Sequence, residues 1–420
     1  RSSTPSVCGQ TVVRVSFVNL TLDHDRHVCT SDDHFDAPMA AASASPSVRQ
    51  SPAGIRTRRI AATRRSVAMS ASASTSPVGS VLGTMTFGWK FSSEECDDGA
   101  SLKLMETFLD AGHVELDTAL AYSGGETEKI MGRLFDAHPT LMDRCQVATK
   151  ANPWPGGAMT SSAGEGGLAP SELRAQVQAS AASLSPYGPI DLLYLHAPDA
   201  ATPIDDTLAE LKSLHDEGAF ISLALSNFPA WEVVYIHGRC KEIGLPPPTT
   251  YQGMYNCVTR TCEAELLPAL RKLNMRFLAY NPLAGGLLSG KHRGKIEAPG
   301  SSDTGRGRFT ENKMYQDRFW NEKYFAAVDT VCDACELEGV APAEAALRWL
   351  YSHSQMDGGK GDCVILGASS VGHLEANLAA AEKAAVGEAL PESVLEAIEA
   401  AFEVCKPVAP PYSRGHSKIA

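Results

Sequence analysis

From Val81 onward the sequence alternates short β-prone runs with segments of helical periodicity, and it does so eight times. This alternation is typical of parallel α/β structure, because parallel strands need long crossover connections that are usually helical. Strands are predicted at 81–87, 113–118, 145–150, 191–196, 221–225, 250–255, 276–280 and 362–367. Eight such units predict an α/β fold of the closed (β/α)₈ TIM-barrel type, with an extra C-terminal helix at 392–404 and a Pro-rich tail.

The connecting segments are of two kinds. Most have helical periodicity; the first helix is predicted at 93–111, and a helical stretch at 322–352 is interrupted near Gly339. Two connections, 153–167 and 282–321, are rich in Gly and Ser and are too long for simple links. We expect both to lie over one end of the barrel.

Four polar residues lie at or near the ends of successive predicted strands. Asp117 and Tyr122 follow the second strand, Lys150 closes the third and His196 closes the fourth. The carboxyl ends of barrel strands form the rim at which barrel enzymes act, so these side chains are expected to meet there. An ammonium about 4 Å from a phenol favours the phenolate by up to about 4 kcal/mol at an effective dielectric constant near 20. With a carboxylate to hold the lysine and an imidazole to hold a carbonyl oxygen, the set predicts carbonyl reduction.

Residues 1–79 differ from the rest of the chain and are predicted to be a leader, with the barrel domain spanning 80–420. No acidic residue occurs from Ala37 to Ser93, and six arginines lie between Met39 and Gly79. This Arg- and Ser-rich composition is typical of an organelle transit peptide, and it favours a chloroplast over a mitochondrion or the cytoplasm. The alternative is a disordered tail that carries no targeting signal. Residues 1–38 are expected to be upstream of the working protein.

Charge and cysteine usage exclude several functional classes. The formal net charge of −12 argues against a nucleic-acid partner, and no apolar run is long enough to span a membrane. Cys332 and Cys335 have the spacing of a zinc or redox pair, but no second pair of ligands follows. We therefore predict no metal site and leave a redox role of these two thiols open.

The motif Asp117-Thr118-Ala119-x-x-Tyr122, followed by Lys150 and His196, resembles the catalytic tetrad of the aldo-keto reductases. The resemblance covers roughly residues 80–414 and is closest to the aflatoxin-aldehyde and succinic-semialdehyde reductase branch. Further similar stretches occur in the expected order at 225–228, 251–256, 279–291, 365–370 and 410–414. Several ordered matches are far more specific than any one of them alone.

This resemblance implies NADPH as the cofactor and assigns positions to it. Three groups of residues would contact the nicotinamide, the pyrophosphate and the adenosine 2′-phosphate with its adenine. For the nicotinamide they are Ser226, Asn227, Gln252 and Tyr280, the last by stacking. For the pyrophosphate they are Asn281, Leu283, Gly285 and Lys291 in the turn 281–291. For the adenosine end they are Gly367, Ser369, Ser370, His373 and Asn377.

Substrate contacts are implied for His196, Arg308 and Arg414, because arginine pairs well with a carboxylate-bearing aldehyde. Three features depart from the family pattern, and one of them is Ala368, which replaces a larger side chain. His373 stands where relatives tend to have Arg or Gln, which predicts a weaker or pH-dependent preference for NADP. The chain also continues for six residues beyond Arg414, and these residues are expected to affect how the arginine is presented to the substrate.

The expected function is NADPH-dependent reduction of aldehydes to primary alcohols, with Tyr122 as the proton donor. Carboxylate-bearing and aromatic aldehydes are the candidate substrates, and the resemblance allows for a homodimer. Two alternatives stay open at this point. One is an NADPH-binding regulatory protein similar to potassium-channel β subunits, and the other is a reductase of ketones or pyridoxal that uses the same tetrad.

Overall fold

The computed structural model describes residues 76–90, 95–157, 159–160, 162–294, 307–310 and 312–419. The predictions about residues 1–75 of the leader therefore lie outside the described residues. Within the described part, no helix has the length and apolar character needed to cross a membrane.

Eight parallel strands close into a barrel, which confirms the predicted fold class. They are β1 (Gly79–Gly83), β2 (Glu115–Asp117), β3 (Gln146–Ala151), β4 (Ile190–Leu195), β5 (Phe220–Ser226), β6 (Thr250–Met254), β7 (Arg276–Tyr280) and β8 (Cys363–Gly367). Each strand pairs with the next in the chain, and β1 pairs with β8 to complete the ring. All carboxyl ends therefore meet at one rim.

Helices alternate with the strands around the barrel. They are α1 (Asp98–Asp110), α2 (Glu126–Ala137), α3 (Pro170–Leu184), α4 (Ile204–Asp216), α5 (Ala230–Ile243), α6 (Leu266–Leu273), α7 (Lys313–Phe319), α8 (Glu322–Glu338), α9 (Pro342–Ser352), α10 (Val371–Ala385) and α11 (Glu392–Cys405). The predicted interruption at Gly339 separates α8 from α9, where this glycine has φ +67°. The extra C-terminal helix is α11.

The largest differences from the predicted elements have local reasons. Helix α1 begins at Asp98 rather than at residue 93, because the Asp97 carboxylate caps it by accepting from the Ala100 N–H at 2.8 Å. Strand β1 ends at Gly83, since the Phe87 N–H turns back to the Thr84 carbonyl at 2.9 Å. Helix α7 lies within the long connection 282–321, where no helix was predicted.

The core has an outer and an inner part. In the outer part, apolar side chains of the strands pack against those of the surrounding helices. Each large buried side chain contributes about 1.5–3 kcal/mol to the stability of the fold. Inside the barrel, smaller clusters centred on Leu278 and Leu192 fill the space between the strands. The cysteines of the described residues are buried free thiols, including Cys332 and Cys335 in α8.

Candidate active site

Strand ends bring the four predicted catalytic residues together at the rim. Asp117 is the last residue of β2, Lys150 lies in β3 and His196 directly follows β4. Tyr122 begins a short 3-10 turn, in which Gly124 and Gly125 both adopt positive φ. Glycine is suited to this left-handed backbone, which reverses the chain directly after the tyrosine.

The Lys150 ammonium is the centre of the cluster. It is fully buried, and it donates to the Asp117 carboxylate at 2.7 Å, to the Thr118 carbonyl at 2.8 Å and to the Tyr122 hydroxyl at 3.2 Å. All three ammonium protons are therefore in use. The other carboxylate oxygen of Asp117 accepts from the Gln252 amide at 2.8 Å, so this predicted cofactor residue also holds the carboxylate.

Burial changes the expected electrostatics of Tyr122. Burial lowers the pKa of Lys150, but Asp117 and Tyr122 more than offset it, so this pKa lies above its ordinary value and the lysine is charged. Burial also raises the pKa of Tyr122; Lys150 opposes this rise, while Asp117 reinforces it. The expected lowering by the lysine is thus present but is outweighed, and the phenol keeps its proton in this state.

His196 is a neutral imidazole in this arrangement. Burial, with the nearby positive charges of Lys150 and Arg414, holds its pKa well below the ordinary value. Its ring meets the Tyr122 ring edge-on at 6.1 Å between centroids and the Trp154 ring at 5.6 Å. The buried Nδ1 atom has no hydrogen-bond partner among the described residues. A buried nitrogen without a partner is costly, so a ligand atom is expected to satisfy it.

A cavity of about 500 Å³ opens in front of these residues. Most of the predicted site residues line it, whereas Lys150 lies behind Tyr122 and Ser370 instead caps α10 by accepting from the His373 N–H at 3.4 Å. The predicted residues in the lining are Asp117, Tyr122, His196, Ser226, Asn227, Gln252, Tyr280, Asn281, Leu283, Gly285, Lys291, Arg308, Gly367, Ser369, His373, Asn377 and Arg414.

One side of the cavity suits a nicotinamide. The Asn227 amide donates to the His196 carbonyl at 2.8 Å and to the Ser226 hydroxyl at 2.9 Å. Its carbonyl oxygen accepts from the Tyr280 hydroxyl at 2.8 Å. These bonds fix the tyrosine ring and the polar groups beside it. An aromatic face next to amide and hydroxyl groups fits a carboxamide-bearing ring.

The turn after β7 suits a dinucleotide phosphate. Gly285 and Gly286 both have positive φ, and a side chain at Gly285 would come within 2.8 Å of the Tyr315 ring. The buried amide nitrogen of Asn281 has no partner among the described residues. Lys291 lies nearby, and burial with the adjacent Arg308 lowers its pKa. Bare backbone and two positive charges form a site for an anion.

The two predicted substrate arginines lie at different ends of the cavity. Arg308 is next to β8, because a Cβ atom at Gly367 would lie 3.3 Å from its guanidinium, and it also contacts Tyr315 at 3.3 Å. It therefore lies beside Gly367, which is one of the residues predicted for the adenosine end of the cofactor. Arg414 lies at the other end, where its guanidinium stacks on Trp154 at 5.2 Å.

Sequence reasoning missed Arg318, which lines the cavity from α7. It is 7% exposed, and its positive charge helps to lower the pKa of Arg414, to which burial contributes most. Neither forms an ion pair with an acid of the described chain. The missed signal was the spacing of Tyr315, Arg318 and Phe319, which places three buried side chains on one helix face.

Comparison with known proteins agrees with this geometry. The sequence model of the Aldo/keto reductase family matches residues 81–401. Aflatoxin B1 aldehyde reductase member 2 from Homo sapiens is 43% identical over 344 residues, which cover 80% of this chain and 90% of that protein. Aldo-keto reductase family 7 member A3 from Homo sapiens is 41% identical over 80% of this chain and 96% of its own length. Oxidoreductase sirO from Leptosphaeria maculans is 37% identical, covering 71% and 84%.

The family match spans nearly the whole barrel, and the similarity to these relatives extends over most of both chains. The matched region includes every strand that supplies a residue of the tetrad. The chain therefore belongs to the aldo/keto reductase family and is an oxidoreductase that uses a nicotinamide cofactor.

Proposed function

We propose that this chain is an NADPH-dependent reductase of carboxylate-bearing aldehydes. The observation that carries the reduction is the buried Lys150 ammonium, which lies 3.2 Å from a Tyr122 hydroxyl at the cavity wall, beside the neutral His196. A protonated phenol, a fixed positive charge and a neutral imidazole are the groups that a carbonyl needs when it becomes an alkoxide.

Each residue has a separate task in the proposed reaction. When bound, the nicotinamide supplies the hydride to the carbonyl carbon. Tyr122 donates its proton to the carbonyl oxygen, and Lys150 stabilises the phenolate that is left behind. His196 is neutral, so its ring N–H can donate to the same oxygen without a net charge. Asp117 keeps Lys150 charged and oriented.

Positive and polar groups around the end of β8 favour NADPH over NADH. Arg308, Lys291 and His373 all line this end of the cavity. These groups have no acidic partner in the part of the chain that the structure describes, and an adenosine 2′-phosphate would supply one, since paired charges are far less costly than unpaired ones in a partly buried site. Asn377 and Ser369 line the same wall and would contact the adenine or its ribose.

Two guanidiniums support the choice of substrate. Arg318 and Arg414 both line the cavity, the charge of Arg414 acts on His196, and neither arginine has an acidic partner among the described residues. Two like charges in a buried site repel each other, and a carboxylate between them would relieve that cost. An aldehyde with a carboxylate a few bonds from its carbonyl would satisfy both arginines while its carbonyl lies between Tyr122 and His196.

The test compares succinic semialdehyde with butanal, which has the same carbon chain without the carboxylate. NADPH consumption is followed by absorbance for residues 76–420. We expect kcat/KM to be at least 10²-fold higher for the carboxylate substrate, a difference typical of a bidentate charge-assisted pair. Arg318→Met should remove most of this preference, whereas Arg239→Met, a surface arginine of α5, should leave it unchanged. Equal kcat/KM values for the two aldehydes would contradict the substrate class.

The same assay distinguishes the two alternatives. A ketone or pyridoxal reductase would prefer those substrates to both aldehydes while still depending on Tyr122. A regulatory binding protein would bind NADPH tightly but would turn over none of them at enzymatic rates. The similarity to relatives that are named as reductases favours the enzymatic reading.

A further inference from the structure

Asp199, on the loop after β4, is a buried carboxylate outside the tetrad that is surrounded by hydrogen-bond donors. It is 1% exposed, and its two oxygens accept four hydrogen bonds. The donors are the backbone N–H groups of Gly166, Leu168 and Ala201 at 2.7, 2.9 and 3.0 Å, and the Thr202 hydroxyl at 2.9 Å. No cation pairs with it among the described residues, so these donors alone compensate its charge.

Two of those donors belong to the loop that follows β3, here called the rim loop, of which the structure describes residues 152–157, 159–160 and 162–168. Gly164 of this loop forms a bridge with Asp199, because its N–H donates to the Pro198 carbonyl at 2.8 Å and its own carbonyl accepts from Ala200 at 2.9 Å. The rim loop also carries Trp154 beside His196. Asp199 therefore fixes this loop relative to the catalytic histidine three residues earlier.

The backbone of Asp199 also holds the C-terminal tail. Its carbonyl accepts from the Lys418 N–H at 3.0 Å. One residue earlier, the Ser417 N–H donates to the buried Glu232 carboxylate at 3.2 Å, and the Arg414 N–H donates to the Asn227 carbonyl at 2.9 Å. The backbone of Arg414 and the residues that follow it thus anchor the tail.

The rim loop and the tail meet at the Arg414 side chain. The guanidinium donates to the Thr160 carbonyl of the rim loop at 2.8 Å and lies over the Trp154 ring at 5.2 Å. We infer that Asp199 is a positioning residue for substrate selection, which aligns the rim loop with the tail so that Arg414 faces the substrate carboxylate beside His196. This inference rests on the proposed function and adds the element that determines its specificity.

The chemistry of the carboxylate makes even asparagine, which has the same shape, a poor substitute for Asp199. Four donors point at its two oxygens, which accept only. In Asp199→Asn the new NH₂ group would face two of these donors and lose both hydrogen bonds. The rim loop and the tail would then be free to separate, and Arg414 would no longer be held against Thr160.

The experiment measures KM and kcat of Asp199→Asn with succinic semialdehyde and with butanal, together with the Kd of NADPH. We expect KM for succinic semialdehyde to rise at least tenfold, with kcat within about threefold of wild type and with unchanged constants for butanal and NADPH. Arg414→Met should give the same pattern. In the double variant the KM should equal that of Arg414→Met alone, since Asp199 acts through this arginine.

Two further variants distinguish a positioning role of Asp199 from a role in folding alone. Asp362→Asn is the matched control, because Asp362 is a fully buried carboxylate that accepts from the Phe277 N–H at 2.8 Å and pairs with Arg271 away from the rim. It should lower stability without changing either KM. Deletion of residues 416–420 keeps Arg414 but removes the Ser417 and Lys418 anchors, and it should raise KM for succinic semialdehyde as Asp199→Asn does.

Two results would overturn the inference. One is an equal loss of kcat/KM for both aldehydes in Asp199→Asn, which indicates a general loss of structure. The other is additive effects of Asp199→Asn and Arg414→Met on KM. Failure of the proposed function itself would be distinct, because the wild type would then show no preference for the carboxylate substrate at all.

Discussion

Replacing Lys150 with methionine tests the electrostatic core of the site. The substitution keeps most of the side-chain volume and removes the charge that lies 3.2 Å from the Tyr122 hydroxyl. At that distance and an effective dielectric constant near 20, the attraction between ammonium and phenolate is about 5 kcal/mol. If half of the phenolate charge has developed in the transition state, about 2.5 kcal/mol is lost, which lowers kcat/KM roughly 10²-fold.

The same substitution should also destabilise the fold, because it leaves the buried Asp117 carboxylate with Gln252 as its one remaining side-chain donor among the described residues. Removing one partner of a buried ion pair costs about 3–5 kcal/mol, which urea unfolding would detect. In the double variant Asp117→Leu/Lys150→Met, no buried charge is left unpaired, so stability should recover while activity stays low. Activity of Lys150→Met within about threefold of wild type would refute the reasoning.

Three further predictions concern other parts of the site. Burial holds the pKa of His196 below its ordinary value, so the unfolded chain binds a proton at this residue at a higher pH than the folded chain does. The free energy of unfolding is therefore unaffected by His196 above about pH 6.5 and falls below that pH by up to about 1.4 kcal/mol per pH unit. Urea unfolding at pH 7.5 and 5.5 should show a smaller loss in His196→Asn, and an identical loss would contradict this. His373→Arg should tighten NADPH binding about tenfold without affecting NADH, as measured by fluorescence titration; equal effects on both would remove His373 from the phosphate site. Gly285→Val should raise the Kd of NADPH at least tenfold, since its Cβ would meet the Tyr315 ring at 2.8 Å and φ is +71°, whereas Gly294→Val outside the cavity should not.

Much of the barrel was predictable because its strands repeat one pattern. The predicted bounds of β7 coincide with the observed strand, and the order of the tetrad along the chain follows from the rim geometry of a parallel barrel. Strand β1 was predicted too long, since Thr84–Phe87 has strand-like composition but turns back on itself. Helix α7 was missed because seven residues within a Gly- and Ser-rich connection give too little periodicity.

Parts of the site were not predictable because they depend on distance in space. Arg308 and Arg318 lie in the same long connection, and the sequence does not show which of them reaches Arg414. Burial of Tyr122 raises its pKa, although the sequence displays only the lysine that would lower it. Asp199 forms its four hydrogen bonds with segments on both sides of β4, and no motif marks such a partner set.

Single-turnover consumption of NADPH by wild type and Tyr122→Phe, with succinic semialdehyde in excess, tests the central claim most directly. The phenylalanine keeps the ring that meets His196 but lacks the proton that we assign to the carbonyl oxygen. The account predicts that hydride transfer slows by more than about 10²-fold while the Kd of NADPH changes by less than about threefold. A Tyr122→Phe variant that transfers hydride at the wild-type rate would contradict it.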